Sequence, residues 1–190
     1  MKTQLQPDER KLRRINLDAQ GLLKKTPFGR GKRATLNAIE QLGYVQIDTI
    51  SVVARAHHHI LRSRVPNYQP VHLDRLQREG QIFEYWYHAA AYLPMRDYRY
   101  ALPLMQKMAR REDAWVRSYD DALMADVVRH VADAGPTRAR DFETPARKGE
   151  TGWWNWKPAK RALEQLFMQG DLMVTGRDGF EKIYDLRERV

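Results

Sequence analysis

PAKRALEQLFMQGDLMVTGRDGFEKIY, residues 158–184, decides the fold. Pro158 suits the first position of a helix, because the amide it lacks is one that a helix start leaves unbonded anyway. Ala159, Ala162, Leu163, Leu166 and Phe167 then recur at i, i+3, i+4, i+7 and i+8. That is one apolar stripe of a helix running to Gln169, with Gly170 as its stop. Leu172-Met173-Val174-Thr175 and Phe180-Glu181-Lys182-Ile183-Tyr184 flank Gly176-Arg177-Asp178-Gly179, which predicts a hairpin with Asp-Gly at its turn. Lys157, Lys160 and Arg161 fall off the stripe, so the helix presents basic groups to solvent.

Upstream of this stretch, Asp121 to Ala134 is amphipathic and ends in Gly135-Pro136. Thr137 to Phe142 predicts a short helix capped by Thr137, and Glu143 to Trp156 a loop. Three helices followed by a hairpin are the plan of a winged helix. The earlier part has a related order. A helix is expected over Asp8–Leu23, with Leu12, Ile15, Ala19, Leu22 and Leu23 as its stripe. A basic loop, 24–31, leads to a helix over Lys32–Leu42 that Gly43 ends. A strand over Tyr44–Ile50, helices over Val52–Arg64 and Val71–Glu79, an aromatic strand over Ile82–His88 and a helix over Arg99–Arg117 follow. The expected fold is mainly α with small β-hairpins (α+β), as two tandem winged-helix domains, residues 1–118 and 119–190.

Composition narrows the function classes. A 43% hydrophobic fraction with five Trp and nine Tyr supplies core material, so a disordered chain is not expected. No run of about 18 apolar residues is present, which predicts no membrane span. The N-terminus lacks the apolar segment of a secretory signal, and cysteine is absent, so a reducing cytoplasm is the expected location. The formal charge is +9, unevenly spread. Met1 to Arg33 holds ten basic against three acidic residues, and Pro136 to Arg161 seven against three. Two basic regions suit a polyanion gripped at two places; a basic protein with no such partner has the same composition.

Gln46 and Asp48 stand two apart on the expected strand, so their side chains share one face while Val45 and Ile47 anchor the other. A carboxamide beside a carboxylate can orient and deprotonate a water. The same pair can equally be a solvated face or a helix cap. His57-His58-His59 does not predict a metal site, because consecutive helix residues point about 100° apart. Glu84 and His88 are a possible polar pocket, with a satisfied buried histidine as the alternative. Trp153, Trp154 and Trp156 either stack on bases or line a core. Arg55, Arg62 and Arg64 are candidate phosphate contacts, or a solvated face. Lys157, Lys160 and Arg161 are the stronger DNA-binding candidates, given the helix that carries them.

Leu42-Gly43-Tyr44-Val45-Gln46-Ile47-Asp48-Thr49-Ile50, then Val53-Ala54-Arg55-Ala56-His57, then Arg64-Val65-Pro66-Asn67-Tyr68 resemble the core signature of the YcaQ family of crosslink-repair DNA glycosylases, which includes the AlkZ-like enzymes. Glu84-Tyr85-Trp86-Tyr87-His88-Ala89, Gly135-Pro136, Asp141-Phe142, 152–158 (GWWNWKP) and Tyr184-Asp185-Leu186 extend the resemblance along the chain. In that family the catalytic motif is glutamine–apolar–aspartate in one branch, which Gln46-Ile47-Asp48 matches, and glutamine–apolar–glutamine in the other. The resemblance implies a monofunctional glycosylase that hydrolyses the glycosidic bond of N7-alkylated purines and unhooks interstrand crosslinks. Its partner would be double-stranded DNA carrying such purines, and it would act as a monomer without a cofactor. The chemistry agrees. An N7-alkylated purine is a cationic leaving group that needs little acid, so the demand is for a negative neighbour to an oxocarbenium-like sugar and for an activated water. Asp48 would meet both, Gln46 would position. With no lysine beside the pair in sequence, no Schiff base is expected. Family members are about twice this length, with a third winged helix and a C-terminal β-rich domain. An intact site with weak DNA binding is therefore expected of these 190 residues. The competing reading is a non-catalytic winged-helix regulator in which Gln46 and Asp48 are structural.

Overall fold

The computed structural model describes residues 8–112, 120–142 and 156–190, without the side chains of 156 and 157. The first helix, α1 (Glu9–Ala19), starts where Asp8 accepts the Arg10 N–H at 3.0 Å. None of its residues is buried, so the predicted stripe of Leu12 and Ile15 faces solvent. Helix α2 (Gly31–Leu42) buries Ala34, Leu36, Ala38 and Ile39, and ends at Gly43 with φ +80°. Strand β1 (Val45–Gln46), helices α3 (Ala56–Arg62) and α4 (Pro70–Arg78), and strands β2 (Ile82–Trp86) and β3 (Ala90–Pro94) complete the first half. The three strands form an antiparallel sheet in the order β1-β3-β2.

A 3-10 helix (Met95–Tyr100) and α5 (Leu102–Ala109) lead into the second half. There α6 (Asp121–Ala134), β4 (Thr137–Arg138), a 3-10 helix (Ala139–Phe142), α7 (Trp156–Gln169), β5 (Leu172–Asp178) and β6 (Glu181–Leu186) follow in turn. Its sheet is also antiparallel, in the order β4-β6-β5. Both sheets therefore place the first strand beside the last, a repeat of plan that no sequence identity announces. The chain is mixed α and β, with small antiparallel sheets.

The first sheet is buried on both faces. Val45, Ile82 and Tyr92 pack with α2, α3 and α4 residues such as Ile39, Leu61 and Leu76. Phe83, Tyr85, Ala91 and Leu93 point the other way, into a second core with Met105, Val127, Leu163, Phe167, Leu172 and Tyr184. That core draws on residues both before and after the 113–119 stretch. Two-faced burial is why Ile82–Trp86 reads as a nearly unbroken apolar run. Hydrogen bonds stitch the same boundary: Tyr85 OH donates to Met168 O at 2.7 Å and Gln77 Nε2 to Val174 O at 2.9 Å. Gly170 closes α7 at φ +83°, where a Cβ would also meet Met105 Sδ at 2.7 Å, so only glycine fits.

Helices α6 and α7 lie where periodicity predicts them, and the α7 stripe of Ala159, Ala162, Leu163, Leu166 and Phe167 is buried. The hairpin forms, but β5 runs on through Gly176 and Arg177 to Asp178, so the turn is Gly179-Phe180 and not 176–179. Several segments differ. The first helix ends at Ala19, short of Leu23, and the helix expected over Arg99–Arg117 is a 3-10 turn to Tyr100 followed by α5, which ends at Ala109. The strand expected over 44–50 leaves the sheet after Ile47, and the chain bends there with the Asp48 carboxylate accepting the Ile50 N–H. The helix expected from Val52 starts at Ala56 instead. Thr137 does not cap a helix: its hydroxyl donates to Gly135 O at 2.7 Å, and its backbone pairs with Tyr184 in β6. A distant strand edge thus overrides a local capping preference. Strand β3, which no expectation covered, pairs with β2 over its whole length. Residues 113–119 with the proposed boundary at Ser118, the 143–155 segment with Trp153 and Trp154, and the Trp156 and Lys157 side chains lie outside the described residues.

Candidate functional site

β1 holds the Gln46–Asp48 segment against β3. Val45 pairs with Tyr92, Gln46 with Ala91, and the Ile47 N–H continues the ladder to Ala90 O at 2.7 Å. Val45 and Ile47 are buried, Gln46 is exposed and Asp48 partly so; the alternation of a strand persists one residue past its last pair. The Asp48 carboxylate accepts the Ile50 N–H at 3.1 Å and the Ala56 N–H at 3.4 Å. The Ile50 N–H, assisted by those of Ala56 and Thr49 and by the nearby His57, holds its pKa below 3.8, against partial desolvation that raises it. Asp48 is thus an ionised carboxylate fixed at a bend, and it also braces the start of α3.

His57 supports the bend from below. Its Nδ1 lies 3.2 Å from the Asp48 backbone N–H. An N–H can only donate, so Nδ1 is unprotonated and the neutral ring carries its proton on Nε2. Burial, then the positive surroundings of His58, Arg55 and Arg177, push the His57 pKa down to about 4, with Asp48 opposing. The sign follows from the unfolded value of 6.5: between pH 6.5 and 4 the unfolded chain binds a proton that the folded chain refuses. The His57 contribution to stability is full above pH 6.5 and is lost as pH falls toward 4, on the order of 1–3 kcal/mol after solvent screening. Urea midpoints across that window should show the slope, and His57→Gln, which keeps an acceptor without titrating, should flatten it. His58 Nδ1 lies 2.7 Å from Tyr68 OH and His59 Nε2 3.1 Å from Ala54 O, so the three histidines serve three separate partners.

Beside the bend a cleft of about 510 Å³ opens between the two halves. Ile47 and Thr49 line it on either side of Asp48, facing Trp86, Lys160, Phe180 and Lys182. Gln46 and Asp48 themselves are not on its wall. At its edge sits a charge cluster built on Glu84, which is 1% exposed. Arg177 grips that carboxylate with two bonds, Nε at 2.9 Å and Nη2 at 2.7 Å, and Lys182 Nζ lies 3.6 Å from it. The Lys182 ammonium also sits 4.2 Å over the Phe167 ring. Burial lowers its pKa while Glu84 raises it. Phe180 receives two guanidinium groups, Arg177 at 4.6 Å and Arg55 at 4.8 Å.

The candidate contacts divide accordingly. Lys160 and Arg161 are exposed on α7, and Arg62 is exposed on α3. Arg55 stacks inward on Phe180. Arg64 is buried: Nε donates to Gln20 O at 2.7 Å and Nη1 to Ile60 O at 2.9 Å, so it ties the end of α1 to α3 and does not face a ligand. Glu84 and His88 are not brought together. His88 is exposed in the β2–β3 turn, edge-on to Tyr44 at 5.3 Å, while Glu84 belongs to the Arg177 cluster. Sequence reading missed Arg177 and Lys182. The signal was Glu84 itself, a carboxylate inside an apolar strand, which requires buried cations from elsewhere in the chain.

A family model described as DNA glycosylase AlkZ-like matches residues 39–190. The chain belongs to the AlkZ-like DNA glycosylase family. The matched region contains Gln46, Asp48, the Glu84 cluster and the whole second half, so the AlkZ-like relationship covers both sheets and the cleft between them. No solved structure matches the chain. Among the described residues no helix is long and apolar enough to cross a membrane, and no three His, Asp or Glu side chains converge as a metal site would require.

Proposed function

We propose that this AlkZ-like chain is a monofunctional glycosylase acting on N7-alkylated purines in duplex DNA and on crosslinks joined through them, with Asp48 and Gln46 as its catalytic pair. The observation that carries the reading is Asp48: an ionised carboxylate, held by backbone N–H groups at a bend beside the cleft. The departing purine takes the bonding electrons and quenches its own positive charge. The sugar is left as an oxocarbenium-like cation, which Asp48 stabilises, and Asp48 then draws the proton from the attacking water. Gln46, exposed two residues away, orients that water or the adjoining phosphate.

The repeated order of helix, strand, two helices and hairpin, with the first strand beside the last, supports two tandem winged helices, divided near residue 118. Lys160 and Arg161 on α7, with Lys157 beside them in sequence and Arg62 in the first half, are the proposed DNA contacts; Arg55, turned onto Phe180, is not among them. Such phosphate contacts position the duplex without reading its sequence.

Two lysines, Lys160 and Lys182, reach the cleft wall, which Asp48 does not join, and the Lys182 ammonium is engaged by Glu84 and Phe167. Hydrolysis without a Schiff base is therefore expected. Borohydride added to the protein with abasic DNA should trap no covalent complex; a trapped band that disappears in Lys160→Met or in Lys182→Met would show lyase chemistry. A second reading rests on the bond from Asp48 to Ala56 N, which suits a purely structural brace in a DNA-binding module. Duplex DNA holding one 7-methylguanine decides between the two: alkali-labile abasic sites that depend on Asp48 support the glycosylase, and their absence supports the module.

A further inference from the structure

Beyond Asp48 the chain makes a small closed finger, residues 50–55. Ser51 and Arg55 pair across its base as an antiparallel bridge. The Asp48 carboxylate clamps the two sides through the Ile50 and Ala56 N–H groups, and His59 Nε2 holds Ala54 O at 3.1 Å. The tip carries Val52 and Val53, 90% and 89% exposed, and Ile50 before them is 70% exposed. These are the three most exposed large hydrophobic residues among those described. A loop built for solvent would place Gly, Asn or Ser there.

We propose that this finger is a wedge that enters the base stack of duplex DNA beside the nucleotide whose sugar Asp48 addresses. The inference rests on the glycosylase reading and adds to it the device that opens the helix. Apolar side chains inserted at a base step unstack it and kink the duplex. Valine is suited to this, since branching at Cβ leaves few rotamers to be lost on insertion. The arrangement of charge selects DNA over a protein partner. Arg62 is exposed on the helix that follows the finger, so a cation stands behind an apolar tip. That order meets phosphates on the outside of a duplex and bases within it. The clamp is the Asp48 carboxylate itself, so insertion of the tip and placement of the catalytic oxygen atoms are one geometric event.

The test uses the full chain and a duplex containing 7-methylguanine on a 2′-fluorinated sugar, which resists cleavage, with 2-aminopurine as its neighbour. Wild-type binding should raise 2-aminopurine fluorescence at least threefold, and Val52→Ser with Val53→Ser should abolish the rise. On cleavable DNA the double variant should excise at least tenfold more slowly from paired duplex. It should excise within twofold of wild type when the lesion sits in an unpaired bulge. Both valines are solvent-exposed, so an unchanged melting temperature is expected. An equal fluorescence rise in the double variant, or an equal loss on paired and bulged DNA, overturns the wedge. A fluorescence rise that needs the valines, without excision by wild type, supports the wedge and overturns the glycosylase reading alone.

Discussion

Asp48→Asn should lower excision of 7-methylguanine from duplex DNA by about 10²- to 10⁴-fold, the usual range for losing a positioned acid–base group. Asparagine has the same shape and retains one carbonyl oxygen for the Ile50 N–H, so the bend survives. On the proposed mechanism, what disappears is the negative charge that faces the sugar cation and the basicity that activates water. The readout is alkaline strand cleavage in single turnover, beside a melting curve that shows the fold intact. Cleavage at the wild-type rate would remove Asp48 from the mechanism. The pH profile adds a second check. With its pKa held below 3.8, Asp48 stays ionised throughout pH 5 to 8, so its titration puts no acid limb on the rate there. His57 contributes instead through stability, below pH 6.5.

The second large effect is on folding. Glu84→Ala should destabilise the protein by about 3–5 kcal/mol, because it strands Arg177 and Lys182 as largely buried like charges. Their side chains are 11% and 20% exposed, so water cannot replace the lost carboxylate without opening the boundary between the two halves. The comparison that isolates this cause is the triple variant Glu84→Leu, Arg177→Leu, Lys182→Met. Removing every charge leaves an apolar cluster, and its stability should return to within about 2 kcal/mol of wild type. Urea denaturation of the three proteins measures both numbers. If the triple variant is as unstable as Glu84→Ala, the loss comes from packing and not from stranded charge.

Helices α6 and α7 and the β5–β6 hairpin were legible because their information is local. A stripe at helical spacing, a proline at one end and a glycine at the other hold whatever lies nearby. The alternation of Val45, Gln46, Ile47 and Asp48 was legible for the same reason. β3 was not legible. Ala90–Pro94 has little local strand character and exists because β2 offers one edge and β1 lies on the other. Thr137 fails in the same way, taken from a helix cap by the edge of β6.

By itself, then, the chain's order of residues determined helices α6 and α7, the exposed Lys160 and Arg161 on α7, and the alternation of the Gln46-Ile47-Asp48 segment. The tertiary structure alone decided that Glu84 belongs to Arg177 and not to His88, that Arg64 is spent on the carbonyls of Gln20 and Ile60, and that a cleft opens beside Asp48. Each of these is a contact between residues far apart in sequence. A charged side chain advertises only that it needs a partner. Which partner it takes depends on where two distant backbones meet, and packing sets that.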